Sequence, residues 1–86
     1  MENFILSIHA QKVIYERKIN LGWIENAINN PDKIEVDAEC VELEHKLKIV
    51  KENGNKVLRV ICKMSVKPVL IVMAFPVFRQ LNLIEG

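Results

Sequence analysis

The chain reads as an α+β domain: two short amphipathic helices, then an antiparallel sheet of three to four strands. Three observations carry that reading. Apolar residues recur at helical spacing between positions 8 and 28. Apolar and charged residues then alternate with period two between 41 and 49. The segment 69–75 is apolar throughout. Helices that precede a run of strands are expected to cover one face of the sheet. With 86 residues, half of them hydrophobic, the chain is one domain, 1–86, with one core.

Phe4, Ile5 and Leu6 form a short first strand or a strap over the core. Ser7 is a suitable N-cap, because its hydroxyl can accept an orphan amide hydrogen bond. From Ile8 to Lys18, the residues Ala10, Val13, Ile14 and Arg17 share helical spacing. Asn20 caps a second helix, and Ile19 before it is placed to staple onto Ile24. Ile24, Ala27 and Ile28 make its stripe, and Asn29, Asn30 and Pro31 stop it. Lys33 to Val36 is a strand, with Asp37 to Cys40 as a turn. Val41, Leu43, Leu47 and Ile49 then alternate with Glu42, Glu44, Lys46 and Lys48, and His45 falls on the apolar side. Glu52 to Asn55 is a hairpin signal, since Asn and Gly tolerate positive φ. Val57 to Met64 is the next strand, and Lys67 and Pro68 turn the chain. Val69 to Phe75 is expected to be a central strand, ended by Pro76. The tail from Val77 is a strand extension or a loose end.

Composition narrows the function. Lys and Arg number 12 against 11 Asp and Glu, a formal net charge of +1. That balance argues against a broad electrostatic footprint on nucleic acid, though it leaves room for one basic face. Cys40 and Cys62 form no CxxC unit, and with His9 and His45 they match no zinc-ligand spacing. No cofactor is implied. Two scattered cysteines fit a reducing compartment, no secretory signal is apparent, and the apolar run is too short to span a bilayer. The expectation is a cytoplasmic protein without a membrane partner.

No phosphate loop, nucleophile elbow or HExxH motif is present. The polar residues that could carry chemistry are few. His9 and Arg17 lie two turns apart on the first helix. A histidine can move protons, and an arginine can hold a phosphate in a planar fork. Arg59 and Lys63 share one sheet face at period-two spacing and could line an anion cleft. Arg79, beside Phe78, is a lone candidate for phosphate contact. His45 reads as a semi-buried histidine, and Tyr15 and Trp23 as packing residues.

The run His9-Ala10, Glu16-Arg17-Lys18-Ile19, Trp23-Ile24, Ala27-Ile28 and Asn30-Pro31-Asp32 resembles the start of the bacterial domain-of-unknown-function family 4258. The block Lys56 to Ile61 and the strand ending Ala74-Phe75-Pro76 fit the same layout. The resemblance implies a RelE-like or barnase-like toxin fold, with two helices on a curved antiparallel sheet. It implies a metal-independent endoribonuclease toxin of a toxin–antitoxin pair, with RNA and a cognate antitoxin protein as partners. Carried over, His9 would transfer a proton, while Arg17 and Arg59 would stabilise the phosphorane; Lys63 and Arg79 would bind RNA. The final strand lacks the Thr or Tyr expected near its end, having Met73, Ala74 and Phe75. The alternative is a non-catalytic protein-interaction module with the same fold.

Overall fold

The computed structural model describes residues 3–77. Strand β1 (Phe4–Leu6) leads into helices α1 (Ile8–Arg17) and α2 (Leu21–Asn29). Strands β2 (Lys33–Val36), β3 (Leu43–Val50), β4 (Lys56–Lys63) and β5 (Val69–Val77) follow. All join one sheet in the order β1-β5-β4-β3-β2.

This corrects the expected sheet. Among the described residues it has five strands rather than three to four, and it is mixed rather than antiparallel, so the RelE-like description is not upheld. The extra strand is β1, which pairs parallel to β5 in the register Phe4↔Val69, Ile5↔Leu70 and Leu6↔Ile71. Strands β2 to β5 pair antiparallel. A parallel pair needs a long crossover, here the whole of α1 through β4, so no local turn announces it.

The helix caps follow from side-chain chemistry. The Ser7 hydroxyl accepts from the Ala10 amide at 3.0 Å, and the Asn20 side chain accepts from Gly22 at 2.7 Å. The hairpin between β3 and β4 passes through a 3₁₀ turn, Lys51–Asn53, then through Gly54 and Asn55 at φ 66° and 61°. Gly54 meets that requirement without the steric cost of a Cβ. Pro76 does not end β5, which runs on to Val77. It pairs with Leu58 on one side, and β1 reaches only Ile71 on the other. At Pro76 the strand therefore has one described neighbour, a position where the missing amide is tolerated. The remainder of the tail, including Arg79, lies outside the described residues.

Both helices cover one face of the sheet. Ala10 and Ile14 of α1 and Ile24, Ala27 and Ile28 of α2 meet Leu58, Val60, Cys62, Val69, Ile71 and Ala74. A register shift between Ile61 and Cys62 lets Ile71 and Ala74, on either side of it, both face the helices. Lys46 is buried on this side too, its Nζ 3.5 Å from the Ile28 carbonyl in the last turn of α2. A cation there complements the helix dipole. The opposite parity (Glu35, His45, Leu47, Val57, Arg59 and Ile61) faces away from the helices. Among the described residues no helix is long and apolar enough to cross a membrane.

Candidate active site on the helix-free sheet face

Strand register assembles a polar cluster that chain order hides. Glu35 on β2 lies opposite His45 on β3, and Arg59 on β4 lies opposite Leu47, one pleat from His45. Asp37 follows directly after β2. Its Oδ2 accepts from the amides of Glu39 and Cys40, each at 3.0 Å, which pins the carboxylate at the start of the turn. Its Oδ1 lies 2.6 Å from His45 Nε2. On the other side of the ring, Arg59 Nη1 lies 2.7 Å from His45 Nδ1 and 3.4 Å from Glu35 Oε1. Lys33 Nζ adds a contact of 3.7 Å to Glu35 Oε2.

The donors fix the histidine tautomer. A guanidinium can only donate, so Nδ1 accepts; Asp37, as a carboxylate, accepts the Nε2 proton. The hydrogen bond from His45, followed by the backbone amide of Glu39, holds the Asp37 carboxyl below its ordinary 3.8. The result is a carboxylate–imidazole pair whose remaining lone pair points at a cation. Histidine and arginine are about four-fifths shielded, at 17% and 16% side-chain exposure. Glu35 is more open at 33%. Such a line can take up a proton at Nδ1 once Arg59 turns to another anion, and Arg59 can then stabilise negative charge.

The structure brings only one residue of the expected trio here. Arg59 sits in the cluster. His9 is exposed in the first turn of α1 and Arg17 in its last, on the helix-covered side of the sheet. Arg17 instead lines a cavity with Lys18, Trp23 and Lys56. Lys63 shares the face of Arg59 but pairs with Glu42 at 3.7 Å. The residues that join Arg59 are His45, Asp37 and Glu35. Alternation in β3 and β4 already put His45 and Arg59 on definable faces, but only the pairing register shows that those faces coincide. Asp37 carried a turn signal and no chemical one.

The cysteines stand apart. Cys62 is fully buried, and burial pushes its thiol up to about 11, so it is not a nucleophile. Among the described residues no group of three His, Cys, Asp or Glu side chains could hold a metal ion.

The model of a family described as a domain of unknown function, DUF4258, matches residues 6–76. That span includes every residue of the cluster. No curated protein and no solved structure matches the chain.

Proposed function

The chain belongs to the DUF4258 family, and from the chemistry of its sheet face we propose that it is a metal-independent endoribonuclease that cleaves RNA by 2′-hydroxyl attack. The observation that carries the reading is the continuous line Asp37–His45–Arg59, with contacts of 2.6 and 2.7 Å. Glu35 Oε1 lies 3.4 Å from the same guanidinium nitrogen, Nη1.

In this reading Arg59 exchanges its neutral partner and Glu35 for a phosphodiester. His45 Nδ1, freed, accepts the proton of the 2′-hydroxyl as that oxygen attacks phosphorus. Asp37 keeps the opposite N–H in place and steadies the imidazolium that forms. Arg59 balances the charge of the phosphorane. The bond to the 5′-oxygen breaks, and that oxygen takes a proton from solvent. The products are a 2′,3′-cyclic phosphate and a 5′-hydroxyl. Glu35 acts as the resting counter-ion, which keeps Arg59 paired until a phosphate displaces it.

An antitoxin protein covering this face is the partner the proposal requires. The enzyme would work in the cytoplasm, where two free cysteines, Cys40 and Cys62, are at home. One feature favours the alternative, a non-catalytic protein-interaction module. Both imidazole nitrogens are engaged, and half-buried Leu43, Ile49, Ile61, Met73 and Phe75 share their sheet face, as an apolar partner would need.

Inducible expression separates the two. Wild-type protein should arrest growth and leave RNA fragments ending in cyclic phosphate, while His45→Ala and Arg59→Ala should each lose about a hundredfold or more of the cleavage rate. His9→Ala should cleave as the wild type does. Intact RNA with the wild type, purified and free of any partner, would leave the interaction module as the better reading.

A further inference from the structure

We infer that the outer edge of β2 pairs with β2 of a second copy of this chain, antiparallel and centred on Ile34, so that two sheets become one. Strand β2 ends the order β1-β5-β4-β3-β2, and among the described residues no strand lies on its outer side. The Asp37 amide donates to the Leu43 carbonyl at 3.0 Å, which sets the phase of the β2–β3 ladder. Hydrogen-bonded pairs of an antiparallel ladder recur at every second residue, so the backbone of Lys33 and Glu35 faces β3. The amides and carbonyls of Ile34 and Val36 therefore turn outward, a ready template for another strand.

Two observations select a second copy as the occupant. The first is charge. With Ile34 opposite its own counterpart, Lys33 of each copy falls opposite Glu35 of the other, because the two residues flank the two-fold axis equally. A lone lysine on an edge discourages pairing; this strand carries the matching counter-charge two residues on. The outward backbone of Ile34 makes the central pair a hydrogen-bonded one. The flanking Lys33–Glu35 pairs are then of the non-hydrogen-bonded kind, where side chains stand closest, with Cβ atoms about 5 Å apart. Lys33 also lies 3.7 Å from Glu35 of its own strand, so the four charges alternate in sign around the axis. The second observation is apolar surface. Ile34 and Val36 lie on the helix-covered side of the sheet yet are 50% and 63% exposed, whereas Ile24, Ala27 and Ile28 of α2 are buried. Pairing sets Ile34 against Ile34. The opposite edge, β1, reads Phe-Ile-Leu and has no charge to choose a register. The two-fold axis leaves both helix layers on one face and both Asp37–His45–Arg59 lines on the other, and it brings the second copy's Lys33 to the Glu35 that contacts Arg59.

The dimer does not depend on the sheet-face chemistry, and its test reads mass rather than cleavage. A strand of four residues buries little area, so association is weak and is measured by sedimentation velocity from micromolar to millimolar protein. Wild type should pass reversibly from monomer to dimer over that range. Lys33→Glu sets acids against acids, and Glu35→Lys sets lysines against lysines; each should weaken self-association about tenfold or more. Mixed in equal amounts, the two variants should recover the wild-type dimer, since every facing pair is then opposite in charge. Ile34→Lys, at a half-exposed position, should keep the wild-type melting temperature and lose the dimer. A wild type that stays monomeric at millimolar concentration would overturn the assignment. So would a dimer that survives Ile34→Lys, or a mixture of the two charge variants, both folded by circular dichroism, that associates no better than either alone.

Discussion

Asp37 shows how one side chain ties stability to chemistry. Its carboxyl is held below 3.8 by His45 and by the turn amides, so the folded state favours the ionised form. For a depressed carboxylate, the stabilisation is complete above the unfolded value and disappears as pH falls through the folded one. Thermal melts from pH 6 down to about pH 3 should therefore show the wild type losing stability below about pH 4, with Asp37→Asn giving a flatter profile over that range. The same substitution leaves an amide that can donate to Nε2 and so reverse the tautomer. Its cleavage rate should drop on the order of a hundredfold or more, with substrate affinity little changed. His45 and Arg59 were each legible in the sequence as members of alternating strands. Asp37 and Glu35 were not, because nothing in a lone aspartate before a turn says which residue of a later strand it will meet.

Elements are held by a few junction residues. Ser7 has two partners: it accepts from the Ala10 amide at 3.0 Å and donates to the Val72 carbonyl at 3.2 Å. It thus caps α1 and clips it to β5 beside the register shift. Ser7→Ala should cost about 1–2 kcal/mol in denaturant unfolding, since both contacts are lost together. Gly54 is a purely conformational site: no atom lies within 4 Å of an added Cβ, yet φ is +66°. Gly54→Ala should destabilise by about 1 kcal/mol without altering the sheet-face chemistry, as read by melting temperature and cleavage rate. Both helices, both caps and this hairpin were readable beforehand because their causes lie within a few residues. Pro76 misled for a related reason: its effect depends on where β1 stops, and that is set far earlier in the chain, at Leu6, whose partner is Ile71.

At the scale of the described molecule, a helix-covered core is centred on β4 and β5. Ile24 and Ile71, both fully buried, belong to the cluster in which the helix layer packs on the sheet. Ile71→Ala should cost about 2–5 kcal/mol, a large share of the roughly 5–15 kcal/mol available to a small domain. Cooperative unfolding curves in urea would measure it. At this scale the sequence revealed that the helices lie together on one side, through the apolar stripes of α1 and α2. It did not reveal a fifth, parallel strand, since three apolar residues near the start have no local way to name their partner.

That parallel pair also sets an order of events. On the growing polypeptide, the hairpin of β3 and β4, which bears His45 and Arg59, is complete before Val69 has been synthesised. The centre of the sheet must wait: β5 joins β4 and β1 only when the last strand arrives, bringing the earliest strand back across the entire domain. Such distant closure slows folding. The polar cluster is thus made early and locally, while the scaffold that fixes its geometry locks late.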